Sequence, residues 1–195
     1  MKLFSRTTRD GFVVGLIAYF AVALFYAVFD FLAGRGFVYT VNMLGKAVFR
    51  GVRDRGVLLF PSTVDIPAML WYNLFHLAAA LVIGLVVMAL VERAERRPAQ
   101  AGGVLFLLVA GFFVTVAGVG WLSAPIRPVL PWWSIVVANV LAVLAAAVYI
   151  VRRRPGIVSR LLPFGRGGED STGEIGRARP AGKTRHGRTP APGSP

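Results

Sequence analysis

The chain has 195 residues, 56% of them hydrophobic, a mean hydropathy of +0.65 and a formal charge of +13. It is too apolar for an ordinary soluble domain, and the absence of cysteine removes disulfides, thiolate metal sites and thiol-based redox chemistry. Lysine occurs only at Lys2, Lys46 and Lys183, so the basic charge is nearly all arginine; with the Ala, Val and Gly load, this points to a bacterial chain from a GC-rich genome.

Residues 1–10 form a short basic N-terminus with Lys2, Arg6 and Arg9. Gly11 to Leu32 then run apolar. At about 1.5 Å rise per residue against a hydrocarbon core of about 30 Å, that is one span. The run is too long for the core of a signal peptide, and Phe31 spoils a small-x-small cleavage site, so the span is expected to be retained. Gly15, Tyr19, Ala23, Tyr26 and Asp30 fall on one helical face.

Residues 33–64 are a long basic connection. Over 37–53, Phe37, Val41, Leu44, Val48 and Val52 lie on one side of a helical wheel and Lys46, Arg50 and Arg53 on the other. The pattern predicts an amphipathic helix flat in the headgroup region, its three basic residues turned toward anionic lipid headgroups.

The second span, 66–91, is the stretch around which the chain is organised. Asp65 is placed to cap it, and Pro67 fits its first turn. Met69, Asn73, His76, Ala80, Gly84 and Val87 share a face, and a stripe of polar and small residues in a span faces protein, not lipid. The third span, 103–122, carries Gly111, Thr115 and Gly118. The fourth, 131–151, opens on Trp132 and Trp133 and carries Asn139, Ala142 and Ala146 on one face. Residues 155–195 are expected to form a cytoplasmic juxtamembrane segment and a disordered Arg/Gly/Pro-rich tail, which lacks the apolar surface to offset its ordering entropy. Its lack of aromatics after Phe164 argues against specific nucleic-acid binding.

The expected fold is an all-α, four-span bundle with an interfacial helix in the first loop. Sixteen Lys and Arg lie on the side of both termini and six on the other, which orients both termini toward the cytoplasm of a bacterial inner membrane. Trp71, Trp121, Trp132 and Trp133 then share the outer interface.

Counted from the middle of each span, His76, Thr115 and Asn139 sit at one depth, with Asn73 and Tyr26 roughly 5 Å farther out. These five residues are expected to form an intramembrane polar cluster. Two meanings compete: interhelical hydrogen bonds that hold register, or a haem-, quinone- or proton-binding module centred on His76, the only histidine in a span. Asp30, near the outer end of the first span, is expected to pair with Arg35. Walker, nucleophile-elbow and zinc-protease motifs are absent. The favoured function is therefore a non-enzymatic structural, assembly or accessory subunit, embedded in lipid as a homo-oligomer or within a larger membrane complex. A small oligomeric transporter using Asp30 and the polar cluster is the remaining alternative.

Overall fold

The computed structural model describes residues 6–52, 63–127 and 130–161, and all its regular structure is helical. Six helices follow in order: α1 (Arg6–Leu32), α2 (Tyr39–Phe49), α3 (Ile66–Arg96), α4 (Ala101–Leu122), α5 (Trp132–Arg153) and the short α6 (Ile157–Leu161). Among them α1, α3, α4 with its lead-in turn Pro98–Gln100, and α5 are long and apolar enough to cross a membrane. Arg53 of the expected basic face and the expected disordered tail from residue 162 lie outside the described residues.

Two helices outrun their apolar stretches. Helix α1 starts at Arg6, and α3 continues to Arg96, where Arg96 pairs with Glu92 one turn back. Hydropathy marks where lipid can begin, whereas a helix ends only where its backbone bonds are replaced. At the far end of α1 they are: Gly34 adopts φ +68°, its N–H bonds to Phe31 O at 3.0 Å, and Arg35 N–H reaches back to Asp30 O at 2.9 Å. This is a glycine-closed C-terminus of the Schellman type, and it turns the chain sharply into α2.

The α1–α3 pair is the centre of the bundle. The helices run antiparallel, with Gly11 against Leu85, Gly15 against Ala80, and Tyr19 against His76. Backbone touches backbone here. A Cβ on Gly15 would stand 2.7 Å from both Ala80 O and Leu81 Cα, and one on Gly84 would strike Gly11 O. Small residues spaced by four on both helices permit this approach, as in close-packed membrane helix pairs. Helix α5 packs against α1 as well, whereas α4 lies at the flank of the bundle, against α3, α5 and α6. Space is open around Gly111 and Gly118 of α4.

Helix α2 differs from the amphipathic expectation. Its buried side is Tyr39, Thr40, Asn42, Met43, Leu44, Gly45 and Lys46, a mixture of polar and apolar groups. Lys46 is only 6% exposed and donates to the Thr63 carbonyl; it is not turned to headgroups. Arg50 Nε meets Asp65 Oδ2 at 2.9 Å. Asn42 completes the attachment, donating to Thr63 O at 3.0 Å and accepting from Asp65 N–H at 2.9 Å. Lys46 and Arg50 depart from the expected headgroup orientation because the Thr63 carbonyl and the Asp65 carboxylate offer them partners within the chain. Asp65 also caps α3 by accepting from Ala68 N–H at 3.0 Å. The Arg50 guanidinium, and then that amide, hold its carboxyl below the usual carboxylate range.

At the opposite end of the bundle, Arg154 ties three elements. It pairs with Glu95 of α3, lies 3.6 Å from Asp10 Oδ2 of α1, and reaches Thr7 Oγ1 at 3.4 Å. Tyr149 of α5 donates to Asp10 Oδ1 at 3.2 Å. Asp10 is 1% exposed, and its Oδ2 has no hydrogen bond, so Arg154 is what balances that charge.

Candidate functional site

Between α1, α2 and α3 lies a cavity of about 230 Å³. Val22, Ala23 and Ala27 of α1, Val41 and Leu44 of α2 and Met69 of α3 give it apolar walls. Tyr26, Asp30, Thr40, Tyr72, Asn73 and His76 supply its polar groups. Phe37 and Val38 line it and are themselves exposed, so it opens beside the turn between α1 and α2.

Asp30 stands at one end, 1% exposed. Its Oδ2 accepts from Thr40 N–H and its Oδ1 from Thr40 Oγ1, both at 2.6 Å. Thr40 is in the first turn of α2, whose own N-cap residue is Val38, with no side-chain oxygen to offer. A carboxylate from α1 therefore does the capping, satisfying a terminal donor and complementing the positive end of the helix. Arg35, the expected ion-pair partner, acts electrostatically on Asp30 and places its guanidinium 5.3 Å from the Tyr39 ring centroid.

His76 stands toward the other end. Its ring lies 5.2 Å from Tyr19 and 6.1 Å from Tyr72, centroid to centroid. Beside it, Tyr19 donates to Asn73 Oδ1 at 3.1 Å, and Asn73 Nδ2 returns to Met69 O at 3.0 Å. Tyr26 shares a hydrogen bond with Ser134 of α5, whose hydroxyl donates to Pro131 O at 2.7 Å. Neither the Tyr72 hydroxyl nor the His76 imidazole meets a hydrogen-bond partner among the described residues.

Of the five residues expected to cluster, the structure brings Tyr26, Asn73 and His76 to this cavity and leaves two elsewhere. Thr115 bonds back to Gly111 O at 2.8 Å and Asn139 to Ile135 O at 2.8 Å, each satisfied by its own helix. Depth along a span can be counted from sequence; the direction a side chain faces depends on which neighbour packs there, and α4 stands away from the cavity. Sequence reasoning missed Tyr72 and Thr40. Tyr72 carried a usable signal, lying four residues before His76 on the same face of α3.

The geometry also limits what can be held. The cavity is below the usual 300–1,000 Å³ of drug-sized ligand sites. That volume is too small to enclose a porphyrin, and among the described lining residues Asp30 and Asn73 already make hydrogen bonds. Comparison with protein-family models, curated proteins and solved structures finds no match to this chain.

Proposed function

We propose that this chain is a non-enzymatic accessory protein of a bacterial cytoplasmic membrane that holds a small lipid-soluble molecule in the cavity beneath α2. The observation that carries the proposal is the cavity itself: apolar walls, an opening beside exposed apolar residues, and two polar side chains, Tyr72 and His76, that meet no hydrogen-bond partner among the described residues. The other polar groups of the spans serve structure. Asp30 caps α2, Asn73 joins α1 to α3, and Thr115 and Asn139 close on their own helices. That commitment of Asp30 favours holding over proton-coupled transport. Open space around Gly111 and Gly118 supports lateral contact of α4 with a second membrane helix, in keeping with an accessory role.

Native mass spectrometry of the protein extracted gently from its own membrane tests this directly. A defined added mass of a small lipid-soluble molecule is expected on the wild-type chain and is lost in Ala23→Trp, where the indole fills the cavity. A spectrum showing only bulk phospholipid, unchanged by that substitution, would sink the proposal. The same spectrum reports copy number and partners.

In this reading both termini face the cytoplasm. Arg93, Arg96, Arg97 and Arg152 to Arg154 mark one end of the bundle, while Trp71, Trp121, Trp132 and Trp133, all exposed, mark the other. Reporter fusions after residue 127 are expected to be active outside and after residue 97 inside; the reverse pattern would invert the orientation.

A further inference from the structure

The cavity beneath α2 has a polarity that narrows its occupant. Its acceptors are largely used: both Asp30 oxygens receive Thr40, and Asn73 Oδ1 receives Tyr19. Among the described residues its unpaired groups, Tyr72 and His76, each keep a donor beside their acceptor capacity. A phenol O–H and, in either protonation state, an imidazole N–H are left at Tyr72 and His76, one helical turn apart on α3, with ring centroids 6.1 Å apart. Donors left unpaired beside an apolar cavity favour a ligand that brings acceptors, because an unmade bond there costs the full desolvation of the group. An amine cation would have to draw on Asp30, whose two oxygens already receive Thr40, and a carboxylate would enter a cavity that holds Asp30 with no lysine or arginine among its described lining residues.

A neutral molecule whose carbonyl oxygen is carried on a flat apolar body meets both donors and brings no charge beside Asp30. Tyr26 and Tyr72 offer ring faces and edges to such a body, and Val22, Ala23, Leu44 and Met69 offer aliphatic contact. The opening at Phe37 and Val38 leaves an apolar exit for a tail too long to be enclosed. We propose that the cavity takes the head ring of a lipid-soluble quinone, one carbonyl oxygen accepting from Tyr72 and His76 while the tail leaves between α1 and α2. This is a binding assignment, without electron transfer, and it rests on the ligand-holding role proposed for the same cavity.

Decylubiquinone, titrated by equilibrium dialysis into the purified full chain in detergent, is expected to saturate one site per chain. Decylbenzene, which keeps the ring and tail but lacks carbonyls, is expected to bind at least about tenfold more weakly, the size of one net hydrogen bond. Tyr72→Phe and His76→Leu should each weaken the quinone by about the same factor and leave decylbenzene unchanged. Ala23→Trp should abolish saturable binding of both. Equal affinity of wild type for the two probes overturns the quinone assignment while keeping the cavity as a ligand site, and it needs no variant to fold. Binding unaffected by Ala23→Trp, or no saturable binding of either probe, overturns both readings.

Discussion

Gly84→Leu is expected to unfold the bundle at conditions where the wild-type chain is stable, losing about 3 kcal/mol, the upper part of the usual overpacking range. The reason is that no flexible side chain stands in the way. A Cβ at Gly84 meets Gly11 O, Gly15 N and, at 2.8 Å, Gly15 Cα, so α1 and α3 must move apart as whole helices. Separation would also pull Tyr19 from Asn73 and open the cavity from its inner end. Thermal unfolding in detergent, followed by circular dichroism, measures the loss. Gly111→Leu is the control: nothing lies within 4 Å of a Cβ there, and its melting temperature should match wild type in the monomer. If the two substitutions cost the same, the close approach of α1 and α3 is not what holds the fold.

Arg154→Ala is expected to cost about 3–5 kcal/mol, the penalty of removing one partner from a buried ion pair. Among the described residues its guanidinium is the only cation facing Asp10 Oδ2, and Asp10 is almost wholly buried. Glu95 would lose its partner in the same step. Asp10→Asn, introduced into the Arg154→Ala chain, removes the stranded charge and should recover much of the loss, while Tyr149 keeps an oxygen to donate to. A double-mutant cycle on the two positions, read by denaturant unfolding, should therefore give a coupling of the order of 1–3 kcal/mol. Purely additive effects would show that Arg154 stabilises this end of the bundle by packing and not by charge.

The two predictions differ in how far the sequence announces them. Helical spacing alone puts Gly15, Tyr19, Ala23 and Asp30 on one face of α1, and Asn73, His76, Ala80 and Gly84 on one face of α3. These faces meet because small residues and polar groups in apolar helices have few other places to go. Arg154 was legible only as one of three arginines ending a span. Its role depends on Asp10, 144 positions earlier (154 − 10), coming to the same end of the bundle, which no local pattern encodes. The same limit explains Thr115 and Asn139, whose depth was countable but whose direction was not. It also explains Lys46, whose nearest acceptor is a backbone carbonyl that a helical wheel does not display.

The borrowed cap of α2 has a consequence for how the parts depend on one another. An 11-residue helix is marginal by itself, and this one begins at a valine that cannot satisfy its first amides. Its first turn leans on α1 through Asp30, and its last on the entrance to α3 through Arg50 and Asp65. It is thus a dependent part, a bridge whose two footings belong to other helices. A disturbance at the Asp65 footing, which lies outside the cavity lining, still reaches its roof through α2, so the shape of the cavity depends on the alignment of α1 and α3.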